Sequence, residues 1–175
     1  QPAQILAVFA AMLTISYPFI KRIFSLPQLF LGAAFGWAVP MAFAAQTGEV
    51  NQLGWLVFGT ALIWAIIYDT FYAMADREED LEVGVKSTAI LFGEADLFII
   101  AGLQVTMLIS LILIGNMAQF GIWYYYSVAI SALLMAYHQW LARDRKRENC
   151  TAAFFNNHYI GMVIFVGIWL NYTFQ

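Results

Sequence analysis

Six apolar stretches alternate with five short polar connections along the 175 residues. The stretches run over roughly 3–20, 27–46, 52–74, 95–115, 119–142 and 152–174. Each is close to the 20 or so residues that a helix needs to cross the hydrocarbon core of a bilayer. The pattern predicts an all-α integral membrane protein with six transmembrane helices in one domain over 1–175. Pro40 inside the second stretch predicts a kink, because proline removes a helix donor and crowds the preceding turn. Gly32 and Gly36, four apart, predict close helix packing on one face. STAILFG, just before the fourth stretch, predicts a short interfacial segment.

Composition sharpens this reading. Hydrophobic residues make up 62%, charged residues only 11%, and the mean hydropathy is +0.72. A soluble domain of this length needs more polar surface to stay dispersed. The expected environment is membrane lipid, and no nucleic-acid partner is expected. The single cysteine, Cys150, forms no internal disulfide and has no base beside it in sequence. No charged n-region or cleavage site precedes the first stretch, and the chain starts without methionine. It is expected to be part of something longer.

Charge placement then orients the helices. Lys21 and Arg22 lie in the first connection, Arg77 and Lys86 in the third, and Arg143, Arg145, Lys146 and Arg147 in the fifth. QTGEVNQ and GNMAQ, the second and fourth connections, carry no basic residue. Alternate connections of a serpentine bundle share a side, so the first, third and fifth are expected in the cytoplasm. The setting expected is a bacterial inner membrane, crossed several times.

The third connection holds the candidate chemistry. Asp69, Asp76, Glu78, Glu79, Asp80 and Glu82 crowd together within YDTFYAMADREEDLE. On one continuous helix, Asp69, Asp76 and Asp80 fall within roughly 40° of each other, with Ala73 between them. Glu78 points to the opposite side and Glu79 to the flank. Asp76 and Asp80 are one turn apart and can share an ion, while Asp69 lies roughly 10 Å deeper. Hard oxygen donors at this spacing suit Mg²⁺, which takes one or two carboxylates plus substrate phosphates. Such a pair at the mouth of an apolar chamber points to a diphosphate with a lipid tail. A solvated loop explains Glu78, Glu79 and Glu82 equally well, but not Asp69, an ionisable residue inside a span.

YPFIKR supplies a complementary set, since Tyr17 and Lys21 share a helical face beside Arg22. Cations there can hold diphosphate oxygens, or can simply snorkel to the interface. RDRKREN at 143–149 reads mainly as a determinant of topology. Two rival functions fit parts of the pattern. A cation-coupled transporter would use Asp69, Asp76 and Asp80 as its ion site, although such sites cluster near the midplane. A metal- or haem-holding subunit would use His138 and His158, which are separated and embedded in YHQW and NNHY.

YPFIKR and YDTFYAMADREEDLEVGVKSTAILFG, with LPQLFLGAAFGWAVPMAF between them, closely resemble the UbiA superfamily of membrane prenyltransferases. FFNNHYIGMVIFVGIWLNY resembles that family's last helix. The resemblance implies that the six spans correspond to helices 4–9 of a nine-helix bundle around a central cavity. It implies Mg²⁺-dependent transfer of a polyprenyl group from polyprenyl diphosphate to the ring of 4-hydroxybenzoate, a step of ubiquinone biosynthesis. The family's DxxxD motif falls on Asp76 and Asp80, implied to bind the metal and the diphosphate, with Asp69 supporting the same polar site. Its YxxxK motif falls on Tyr17 and Lys21, implied with Arg22 to hold phosphates. Tyr68, Tyr72, Arg77 and Lys86 are implied as further substrate-binding positions. Tyr68, Phe71 and Tyr72 are candidates for an aromatic wall facing an allylic cation, and generic helix packing explains them equally well. The family's first motif, NDxxDRxxD, is absent, so the N-terminal three helices are expected to be missing from this chain and the chain alone to be inactive.

Overall fold

The computed structural model describes residues 2–20 and 26–174, with side chains from 17 to 20 left out. Every regular element among them is helical: α1 (Pro2–Ile20), α2 (Pro27–Gly36), α3 (Ala38–Thr47), α4 (Gln52–Ala75), α5 (Arg77–Val83), α6 (Thr88–Phe92), α7 (Asp96–Met117), α8 (Ile122–Ala142), α9 (Arg147–Asn156) and α10 (His158–Thr173). A 3₁₀ turn, Gly93–Ala95, joins α6 to α7.

Local sequence explains where the helices start and stop. Asn51 caps α4, its side-chain oxygen accepting from the Gly54 amide at 2.9 Å. Ser87 caps α6 in the same way through Ile90. Gly84 ends α5 at φ +74°, a left-handed conformation that costs glycine little. The kink expected from Pro40 falls at Trp37, between α2 and α3. The carbonyl that a proline at 40 would crowd belongs to Gly36, where α2 ends. A second bend, not expected from sequence, separates α9 from α10. There the Asn157 side-chain amide donates to the Ala153 carbonyl at 2.8 Å, bonding directly into the ladder.

α4 is the central post. It packs against α2, α3, α6, α7 and α9, while α8 and α10 pair with each other behind it. The expected small-residue contact is present on α2: a Cβ on Gly32 would meet Ala65 Cβ and the Leu62 carbonyl at 3.0 Å. Only a hydrogen fits there, so the two backbones approach closely. The apolar core gathers Ile67 and Phe71 of α4 with Ile100, Met107, Tyr124 and Ile160. Around them the usual order is inverted. Gln28, Thr70, Thr88, Asp96, Gln104, Ser131, His138, Asn157 and Asn171 are buried, while Ile15, Phe35, Phe98, Leu133 and Phe165 are exposed. Water would penalise that surface and lipid would not.

Four helical runs among the described residues are long and apolar enough to cross a membrane: Pro27–Thr47, Gln52–Ala75, Thr88–Met117 and Arg147–Thr173. The third begins at Thr88, seven residues before the expected span, because α6 and the 3₁₀ turn continue into α7. Pro2–Ser16 is a shorter apolar helix. α8 has 21 residues, but Tyr124, Tyr125, Tyr126, His138 and Gln139 dilute its apolar character.

Candidate active site

The acidic stretch sits where α4 ends. Asp76 leaves helical geometry at φ −99°, ψ 6°, and α5 starts at the next residue. The predicted stripe of three aspartates on one continuous helix is therefore interrupted at Asp76, where α4 ends and α5 begins. The second turn survives the break, since the Asp80 amide donates to the Asp76 carbonyl at 2.9 Å. Exposure sorts the carboxylates as their sequence positions suggested. Asp69, Asp76 and Asp80 are half-buried, and Glu78, Glu79 and Glu82 are exposed. Among the described residues no three His, Cys, Asp or Glu side chains gather into a metal cage. What this chain offers a hard cation is the half-buried Asp76–Asp80 pair. That donor set fits Mg²⁺ with further oxygens from a substrate diphosphate.

An aromatic ladder leads away from the pair. Tyr72 hydrogen-bonds Asp76 through its hydroxyl and faces Phe154, with ring centroids 5.1 Å apart. Phe154 meets Tyr68 at 5.9 Å, and Tyr68 meets Trp64 at 5.9 Å. Trp64, Tyr68, Phe154 and His158 border a cavity of about 330 Å³. Trp64 also borders a second cavity of about 480 Å³, lined mainly by α4, α7, α8 and α10. Phe71 does not belong to this wall. It is fully buried on another face of α4, edge-on to His138 at 6.3 Å.

The basic residues are distributed differently from the sequence reading. Arg77 donates to the Asp96 carboxylate and to the Gly93 carbonyl. Arg145 also holds Asp96, through Nε at 3.1 Å and Nη2 at 2.9 Å, and donates to the Glu94 carbonyl at 2.8 Å. Asp96 itself is fully buried at the start of α7. Its carboxylate raises the already high pKa of Arg145, so that guanidinium is charged at every relevant pH. Arg147 reaches Asp76 at 3.5 Å and pairs with Glu79. The connection at 143–149 is thus more than a topology determinant: Arg145 ties it to the start of α7, and Arg147 ties α9 to the acidic stretch. Asp96, absent from the expected site residues, carries a sequence signal as an acid at the mouth of the apolar run from 95 to 115. Nothing local marked Arg145 as its neighbour, or Arg147 as a neighbour of Asp76 and Glu79.

Lys86 is exposed in the connection before α6. Tyr17 lies on α1 with its side chain among those left out, and Lys21 and Arg22 lie outside the described residues. The two histidines lead to no metal cluster among the described residues. His138 is buried with neither ring nitrogen hydrogen-bonded, while His158 is exposed beside Tyr159.

The sequence and the fold have known relatives. The UbiA prenyltransferase family model matches residues 1–165. A 4-hydroxybenzoate octaprenyltransferase of Marinobacter nauticus is 52% identical over 164 residues, covering 94% of this chain and 56% of the relative. One of Coxiella burnetii is 50% identical over 167 residues, covering 95% and 58%. The chain therefore spans little more than half the length of these curated relatives. Among solved structures, the apo form of a UbiA homolog from Aeropyrum pernix superposes with a TM-score of 0.79 at 24% identity, over 95% of this chain and 62% of that one. A structure concerned with digeranylgeranylglyceryl phosphate synthase in membranes also gives 0.79, at 22% identity, over 97% and 61%. Both share the helical fold seen here. With a family model covering nearly its whole length and curated relatives at about half identity, the chain belongs to the UbiA prenyltransferase family.

Proposed function

We propose that this chain is the C-terminal part of a 4-hydroxybenzoate polyprenyltransferase, which moves a polyprenyl group from its diphosphate to the ring carbon ortho to the phenolic hydroxyl. The observation that carries the reading is the half-buried Asp76–Asp80 pair at the head of an aromatic ladder, in a chain about 50% identical to 4-hydroxybenzoate octaprenyltransferases. Asp76 and Asp80 would hold Mg²⁺, whose chemistry there is to neutralise charge on the departing diphosphate. Asp69 supports the same polar patch from one level deeper. Tyr17, Lys21, Arg22 and Lys86 are assigned to the phosphates, with further ligands from the N-terminal part that the relatives carry. Arg77, bonded to Asp96, serves the substrate by holding the start of α5 in place.

The rings of Tyr72, Phe154, Tyr68 and Trp64 face the path of the prenyl tail. An allylic cation forms when the C–O bond to diphosphate breaks. Aromatic faces stabilise it, and an apolar chamber keeps water from trapping it before the electron-rich phenol attacks. Loss of the ring proton restores aromaticity. Purified full-length protein in nanodiscs is expected to prenylate 4-hydroxybenzoate when given polyprenyl diphosphate and Mg²⁺, and to stop when the metal is chelated. Turnover that survives chelation, or absence of the prenylated acid under any metal condition, would overturn this reading.

The membrane arrangement belongs to the same proposal. α1, the α2–α3 pair, α4, the α6–α7 run, α8 and the α9–α10 pair form six crossings, corresponding to the family's helices 4–9. The connections near residues 21–26, 76–87 and 143–146 then face the cytoplasm of a bacterial inner membrane. A cysteine placed in GNMAQ should be labelled from the periplasm of intact cells by an impermeant thiol reagent, and one at Glu79 should not. The opposite labelling pattern would put Asp76 and Asp80 on the wrong face.

A further inference from the structure

Arg147 reaches Asp76, one of the proposed metal-binding pair, at 3.5 Å, and the fold takes trouble to put it there. The turn between α8 and α9 passes through Arg145 at φ +55°, a left-handed conformation that non-glycine residues rarely adopt. Such strain persists when surrounding contacts over-determine it. Here the contacts are those of the Arg145 side chain, which is locked onto the fully buried Asp96 and the Glu94 carbonyl. Two residues later Arg147 opens α9 and reaches back across the chain to Asp76 and Glu79. Arg145 is a fixed anchor. Arg147, with 63% of its side chain exposed, is free to turn.

We propose that Arg147 is a diphosphate-binding residue that rests on Asp76 and Glu79 while the site is empty, and that the Asp96–Arg145 pair sets its position. This rests on the reading of Asp76 as a metal ligand. A carboxylate cannot serve a divalent cation and a guanidinium equally well at one time. When the metal takes the Asp76 carboxylate, Arg147 loses one of its two partners close to the incoming diphosphate. The planar fork of arginine matches two phosphate oxygens, which a lysine ammonium cannot do. The competing view is an ordinary rim ion pair, of the kind that contributes little to stability. That view assigns no role to the delivery of Arg147 to Asp76 by this turn. It also predicts no link between Arg147 and metal binding.

The experiment measures two affinities on full-length protein in nanodiscs: Mn²⁺ alone, by its electron paramagnetic resonance signal, and a non-ionising prenyl thiodiphosphate with Mg²⁺. Arg147→Gln is expected to weaken thiodiphosphate binding by about ten-fold, the worth of one charge-assisted hydrogen bond. It should tighten Mn²⁺ binding in the absence of thiodiphosphate, because the resident competitor is gone. Arg147→Lys should keep the charge but recover only part of the thiodiphosphate affinity. Unchanged thiodiphosphate affinity in Arg147→Gln, or Mn²⁺ binding that weakens, overturns the proposal. Asp76→Asn separates the two levels. If it leaves Mn²⁺ binding intact, the metal assignment itself fails; if it abolishes Mn²⁺ binding while Arg147→Gln changes neither affinity, only the role of Arg147 fails.

Discussion

Asp76→Asn or Asp80→Asn in the full-length protein is expected to lower prenyl transfer by about three orders of magnitude. The change keeps the size of the side chain and removes one charge from the proposed two-carboxylate donor set. A metal held by one carboxylate binds less tightly, and the departing diphosphate then carries more of its own charge. Preorganised charge stabilisation of this kind is commonly the largest single contribution to a rate, with single-group removals costing about 10²–10³. Asp76 should be the more sensitive of the two. It caps α4, its hydroxyl partner is Tyr72, and Arg147 rests on it. Neither variant should unfold the protein, since both carboxylates reach the surface and the backbone bond between residues 76 and 80 is independent of side chain. The check is a radiolabelled prenyl transfer assay at saturating Mg²⁺. Turnover within ten-fold of wild type in either variant would remove that residue from the metal site.

Residues 1 to 175 expressed alone are expected to enter the membrane and to show no prenyl transfer. Insertion follows from the apolar runs and the agreement of all the basic connections. Inactivity follows from the proposed division of ligands. The stretch covers 56–58% of the length of its relatives, and the proposed Asp76–Asp80 pair alone would leave the diphosphate half-liganded. Large apolar side chains on several helices, Phe35, Phe98 and Leu133 among them, are exposed among the described residues. An allylic cation formed in an open chamber would be quenched. Co-expression with a polypeptide carrying the remaining helices and the first motif should restore product, because preformed spans can pack without a covalent link. Product from residues 1 to 175 alone would show that the second motif suffices.

Much of this molecule could be read along the chain. The Pro40 kink, the Gly32 contact, the short segment at STAILFG and the separation of half-buried aspartates from exposed glutamates all depend on neighbours within a few turns. Helical periodicity and backbone sterics act over that range, so the pattern of residues carries them. The break at Asp76 was less legible, since no proline or glycine marks it. The bend at Asn157 was invisible for a similar reason: it depends on an amide folding back on its own helix.

The ion pairs that organise the active-site end were out of reach of any such pattern. Arg145 meets Asp96 across 49 residues, and Arg147 meets Glu79 across 68. No local period links such positions. Whether they touch depends on how α4, α7, α8 and α9 pack, and on the direction in which a strained turn aims its side chains. A loop of four basic residues looks the same in sequence whether it merely orients a helix or closes over a carboxylate. Packing distinguishes the two, because Asp96 lies in a protein interior from which water is excluded, and a carboxylate there is tolerated only with its cations beside it.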